Sequence, residues 1–142
     1  MAHPATAQAR AQEIVEDFAL FDDWMGRYEY LIDLGRDLPL IDPQHKTEAY
    51  RIHGCQAQVW LHADTDDGLV HYTADSDALI TKGLIALLLR VLSGLPADEI
   101  RHADLAFLDE IGLREHLSAT RKNGLASMVS TMKAHAKAHA AL

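Results

Sequence analysis

With 142 residues, 49% of them hydrophobic and 24% charged, the chain has the balance of an ordinary globular protein, which excludes fibrous and disordered classes and makes residues 1–142 a single expected domain. A formal net charge of -8 with no Lys/Arg run speaks against nucleic acid and anionic membrane surfaces as partners. One cysteine closes no intramolecular disulfide, so a reducing, cytoplasmic setting is expected and the thiol is free.

The opening "MAHPATAQARAQEIVEDF" has no apolar segment ahead of a small-residue cleavage site, so no secretory signal is expected. Its Ala/Arg content has a transit-peptide flavour, which Glu13, Glu16 and Asp17 oppose at once. About the first ten residues are open to disorder. Ile14, Val15, Phe18 and Phe21 then recur at helical spacing. Asp22 and Asp23 offer an N-cap to a second helix carrying Trp24, Tyr28, Leu31 and Ile32, and Gly35 is its expected stop. Residues 38–46, "LPLIDPQHK", hold two prolines and no period, which predicts an irregular connection.

From Cys55 to Asp64 apolar and polar residues alternate with the period of a strand having one apolar face. "TDDG" predicts a turn and "LVHYTA" a returning strand, while the preceding "AYRIH" reads as extended and suited to edge pairing. Asp75, Ser76 and Asp77 are expected to cap the next helix, "ALITKGLIALLLRVLSG", apolar on nearly every side. Lys82, Arg90 and a length under the ~20 residues of a bilayer span make this a core helix. Residues 96–112 predict one helix with Ile100, Leu105, Leu108 and Ile111 inward. Ser118 predicts the cap of a last helix with Leu125, Met128, Val129 and Met132 inward. The expected class is α+β, a small antiparallel sheet of about three strands packed against helices.

A lone cysteine is more often an inert core residue than a nucleophile, yet Cys55 follows Gly54 at a loop-to-strand junction, where a thiol can be presented or withdrawn. A thiol of pKa ~8.5 is only a few per cent thiolate at neutral pH, so attack needs a basic neighbour, a helix N-terminus or a partner protein. On an ideal strand His53 would share a face with Cys55 and act as base; the alternative places it on the loop surface.

"GCQAQVWL", then "DSDALITKGLIALLL", then "TRKNGLASM", together with "LGRDLP" at residues 34–39, resemble the SufE family of cysteine-desulfuration proteins. The order and spacing match from about Phe18 to Met132. Ala57 stands where the family usually has serine, Tyr50 where asparagine often stands, and Leu95 and Ala119 replace common Thr and Pro residues. The resemblance implies a SufE/IscU-like fold. It also implies that Cys55 takes sulfane sulfur from the persulfide of a pyridoxal-phosphate cysteine desulfurase (SufS-like or CsdA-like), stimulates that enzyme, and passes the sulfur to an iron–sulfur scaffold complex. The chain is then a persulfide-carrying activator with no cofactor of its own, and one thiolate is too few for a resident cluster. Arg121, in the segment matching the family's Ser-Arg motif, is implied to support the site, with Gly54, Gln56 and His53 beside the thiol.

Other residues have plainer readings. Gln56, Gln58 and Trp60 fall on the side away from the apolar strand face, suited to a partner or to water. His135 and His139 are four apart on the last helix, but two ligands do not make a metal site, and none is expected. The competing functions are a stand-alone cysteine enzyme pairing Cys55 with His71 or His102, and a non-catalytic adaptor with a structural Cys55.

Overall fold

The computed structural model describes residues 6–140. Helix α1 (Ala7–Phe18) is capped by Thr6, whose side chain accepts from the Ala9 N–H at 3.1 Å. Ala7, Arg10, Ala11, Ile14 and Phe18 are buried, so the expected disorder over about residues 1–10 is corrected from Ala7 onward; residues 1–5 lie outside the described residues. Arg10 is held by the Ser93 carbonyl at 2.6 Å, which ties this first turn to the core.

Asp23 caps α2 (Trp24–Arg36) through the Gly26 N–H at 2.8 Å, as its position predicts. Gly35 does not stop the helix, which runs one residue further. It sits where α2 crosses α3 (Leu79–Leu92), and a Cβ on Gly35 would stand 2.6 Å from the Gly83 nitrogen. The two glycines let the helix backbones approach directly. Residues 38–46 are irregular apart from a 3-10 turn at Pro43–His45, followed by a second at Glu48–Tyr50.

Strands β1 (Val59–Asp66) and β2 (Leu69–Ser76) pair antiparallel from Val59↔Ser76 to Asp66↔Leu69. The turn is tighter than "TDDG" suggests. Only Asp67 (φ 53) and Gly68 (φ 78) lie outside the ladder, both left-handed as a two-residue hairpin loop requires. The third strand is β3 (Leu95–Pro96), paired to β2, and the sheet order is β1-β2-β3. The "AYRIH" segment contributes a single bridge, Arg51↔Trp60, and an Ile52 N–H to Val59 carbonyl bond of 2.8 Å.

Val59, Leu61, Val70, Tyr72 and Ala74 turn one face of the sheet inward. α3 lies at the centre, against α1, α2, β2 and α7 (Ala119–Ala140), which explains a helix apolar all round. The Tyr72 hydroxyl, donating to the Met132 carbonyl at 2.6 Å, fixes α7 to the sheet.

The single helix expected over 96–112 is two short ones, α4 (Ala97–Arg101) and α5 (Phe107–Glu110), and a third short helix, α6 (Leu113–His116), follows them. Asp104 accepts from the Ala106 N–H at 2.9 Å, a local bond that competes with the helical ladder, and Gly112 at φ 86 ends α5. Ser118 accepts from the Arg121 N–H at 3.3 Å and caps α7 as expected. The fold is thus helices around a small antiparallel sheet. Among the described residues no helix is long and apolar enough to cross a membrane.

Candidate functional site

Cys55 is not in a strand. The alternation that suggests one runs past the end of its partner, because Val59 already faces the last residue of β2. The backbone of 53–58 instead forms a loop fastened at its base. Ile52 N–H bonds the Val59 carbonyl, Gln58 N–H bonds Asp77 Oδ1 at 3.0 Å, and Asp77 N–H bonds the Gln58 carbonyl at 3.3 Å. Asp77 is thereby committed to the loop rather than to capping α3. The predicted Asp75–Asp77 cap is corrected: Ala78 is the N-cap residue and no side chain caps the helix. Asp75 pairs instead with Lys46 at 3.1 Å and Lys82 at 3.5 Å.

The tip of the loop rests on α7. Gly54 takes φ +92, and a Cβ there would stand 2.5 Å from Ser127 Oγ, so glycine is required both for the turn and for the close approach. Cys55 Sγ donates to the Gly124 carbonyl at 3.5 Å, a weak contact for a thiol. The thiol is free and half-buried, and burial pushes its pKa up from the ordinary value. At rest it is therefore a poor nucleophile.

Beneath the loop is a cavity of about 370 Å³. Cys55, Gln56 and Ala57 form one wall, Asp77, Ala78 and Thr81 at the start of α3 a second, and Thr120, Arg121 and Gly124 on α7 a third. Buried Leu84, Leu125 and Met128 complete it with hydrocarbon. The structure thus brings together Cys55, Gln56 and Arg121, with Gly54 shaping the loop that carries the thiol. Arg121 is exposed on the rim, opposite in charge to Asp77.

His53 does not join them: its Nε2 lies 3.5 Å from Glu48 Oε1 on the open surface, and it is not part of the cavity wall. His71 stands beside Gly94, and the His102 ring takes the Asp98 carbonyl as partner at 2.9 Å, so neither histidine of the competing enzyme reading lines the cavity. Trp60 is half-buried with Lys46 Nζ 4.9 Å from its ring centre. His139 meets Thr65 Oγ1 at 2.5 Å rather than pairing with His135. Among the described residues no three His, Cys, Asp or Glu side chains converge as a metal site.

Sequence reasoning missed Thr81 and the clamp between Gln58 and Asp77. The sign of Thr81 is a short polar side chain within a mostly apolar helical run; nothing in the chain order reveals that Asp77 reaches back to residue 58.

The Fe-S metabolism associated domain of the SufE family matches residues 12–136. The chain is 43% identical over 130 residues to an uncharacterized SufE-like protein of Rhizobium meliloti, covering 88% of this chain and 93% of that one. It is 36% identical over 137 residues to the sulfur acceptor protein CsdE of Escherichia coli, covering 95% and 93%. The solution structure of a hypothetical protein from Thermus thermophilus superposes with a TM-score of 0.78 at 22% identity, covering 94% of this chain and 97% of that one, which shows the shared fold. With the thiol of "GCQAQVWL" and the arginine and glycine of "TRKNGLASM" meeting at one cavity, the chain belongs to the SufE family.

Proposed function

We propose that this chain is a sulfur acceptor of iron–sulfur metabolism. Cys55 takes sulfane sulfur from the persulfide of a pyridoxal-phosphate cysteine desulfurase in the cytoplasm, accelerates that enzyme by clearing its product, and hands the sulfur to an iron–sulfur scaffold complex. Family membership and the likeness to a sulfur acceptor protein support the reading. The observation that carries it is a solitary thiol on a loop tip that is fastened at its base and whose side chain makes a weak Sγ to Gly124 bond to α7.

The transfer is thiol exchange. The Cys55 thiolate attacks the outer sulfur of the donor persulfide; a new Sγ–S bond forms as the donor's S–S bond breaks, and the donor cysteine leaves as thiolate and takes up the proton Cys55 lost. The sulfane sulfur keeps its oxidation state, so no external oxidant or reductant enters. Without a second thiol in the chain, Cys55 cannot be resolved into an internal disulfide, and the persulfide survives for delivery.

Lifting the loop tip is the motion the reading needs, because the half-buried thiol is otherwise partly shielded and its pKa raised. The test is transfer of labelled sulfur from cysteine through a purified desulfurase, read by intact mass. A gain of one sulfur on Cys55, removed by reductant and absent from Cys55→Ser, is expected. A working desulfurase whose label never enters the chain overturns the acceptor reading. Full stimulation by Cys55→Ser would favour the adaptor.

A further inference from the structure

Thr81 lies on the first turn of α3, is only 8% exposed, and forms part of the cavity wall opposite Cys55. Its hydroxyl makes no hydrogen bond to any described residue. A threonine on a helix ordinarily bonds the carbonyl four residues back, as Thr131 does to Ser127 at 2.8 Å. Thr81 is also one of the residues that line the cavity. A largely buried donor with no protein acceptor, on a residue that lines an opening, can donate to a ligand placed there.

The backbone beside it has the same property. α3 is 14 residues long, its N-cap is Ala78, and no side chain accepts from its first-turn N–H groups, because Asp77 is turned toward Gln58. An open helix N-terminus favours an anion. The charged groups on the cavity wall are Asp77 and Arg121, one of each sign. The hydrocarbon of Leu84, Leu125 and Met128 lowers the local dielectric, which strengthens any charge-assisted bond made there.

We infer that the Thr81 hydroxyl and the open first turn of α3 form the subsite for the terminal sulfur of a Cys55 persulfide, held as the anion. This rests on the sulfur-acceptor reading and assigns the place where the cargo lies between transfers. When the thiol is unloaded, the hydroxyl has no protein acceptor. When the Sγ–S bond has formed, the outer sulfur extends from the loop into the cavity and accepts from Thr81. The held anion ionises at lower pH than a persulfide without that donor and is protected from premature attack.

The test uses the full chain and its Thr81→Val and Thr81→Ser variants, loaded with inorganic polysulfide. Here the Cys55 thiolate takes one terminal sulfur and releases a polysulfide one sulfur shorter, so no desulfurase is needed. Alkylation by iodoacetamide is followed against pH by intact mass, for the loaded persulfide and for the unloaded thiol. Thr81→Val is expected to raise the persulfide midpoint by about one pH unit, a tenfold change in ionisation, to leave the thiol midpoint in place, and Thr81→Ser to stay near wild type. Thr81→Ala carries the same comparison if the valine variant does not fold.

A persulfide midpoint unmoved by Thr81→Val, an equal displacement of the unloaded thiol, or a wild-type chain that does not load overturns the subsite. A chain that loads from polysulfide and shows the Thr81 effect, yet takes no label from a desulfurase, supports the subsite and overturns the acceptor reading. Loading from the desulfurase with no Thr81 effect overturns the subsite alone.

Discussion

Gly54 lies so close to Ser127 that a methyl group on its Cα would stand 2.5 Å from the Ser127 hydroxyl oxygen, on a backbone with φ +92 that side chains rarely adopt. The residue before the thiol is thus the point at which the loop tip seats on α7. Seating is what buries Cys55 and opens its cavity on the inner side of the loop.

Gly54→Ala should therefore unseat the tip rather than unfold the protein. The left-handed backbone costs an alanine about 1–3 kcal/mol, and lifting the tip relieves it while the bonds at Ile52 and Gln58 hold the base. Alkylation of Cys55 at fixed pH is expected to accelerate by at least about fivefold with the denaturation midpoint nearly unchanged. An unchanged alkylation rate would show that the tip stays seated despite the strain.

Gly124 presents the opposite case on the same contact. A Cβ there would meet Cys55 Sγ at 3.5 Å, ordinary van der Waals distance, and the residue is inside a helix where glycine is about 0.5–1 kcal/mol worse than alanine. Gly124→Ala should raise the melting temperature by a few degrees and keep sulfur uptake. Loss of uptake in a stable Gly124→Ala protein would mean that the bare backbone at 124 is needed by a docking partner, a role its packing does not require.

The glycines also mark where the sequence was readable and where it was not. Asp67-Gly68 between alternating residues announced the hairpin, and Asp23 and Ser118 announced their helices, because each effect is local. Gly35 looked like a helix stop for an equally local reason, yet its role is set by Gly83, far along the chain, through a helix crossing that no pattern displays. The same holds for Asp77, whose commitment to Gln58 removed an expected cap, and for Thr81, whose cavity exists only after three segments assemble. Cys55 was legible as the lone thiol after Gly54, and Gln56 and Arg121 as candidates beside it, whereas His53 takes the loop-surface place of its other reading, because a loop replaces the strand on which it would have faced the thiol.

Gly83→Ala makes that crossing measurable. A Cβ on Gly83 would overlap the Leu31 carbonyl oxygen and stand 2.8 Å from Leu31 Cγ, and backbone cannot yield as a flexible side chain does. Overpacking of this kind costs about 1–3 kcal/mol or more, so the urea midpoint should fall clearly. A midpoint equal to wild type would show that the two helices have room to separate.

His62 couples stability to pH on the far side of the hairpin. Its ring is stacked on His45 with centroids 3.6 Å apart. Burial, then the positive charge His45 would carry, lowers its pKa from the usual imidazole value, with His139 adding to this against the opposing carboxylates of Asp64 and Asp42. A histidine whose folded pKa is lowered binds its proton more readily when unfolded, so its contribution is present above the unfolded value of about 6.5 and is lost as pH falls below it. Denaturation midpoints measured from pH 8 to about 5 should decline less steeply in His62→Gln than in wild type. Identical slopes would remove the stacked pair from the acid response.

For Cys55 the sign runs the other way. Burial favours the neutral thiol, so its folded pKa lies above the unfolded one, the folded chain binds the proton more tightly, and the stability it contributes falls as pH rises past the ordinary thiol value of about 8.5. Alkylation of the unloaded thiol should accordingly rise through a midpoint above that of a peptide spanning 53–58. Sulfur transfer at neutral pH then demands that something restore the thiolate, and neither His53 nor any other histidine among the described residues lines the cavity to do it. On the proposed function, withdrawal of the loop tip into solvent by a docked desulfurase would remove the desolvation at its source. With a saturating desulfurase whose own persulfide-bearing cysteine is mutated to serine, the Cys55 midpoint should drop toward the peptide value; a midpoint that stays high in the complex would mean that the partner activates its own persulfide and leaves the acceptor thiol as it found it.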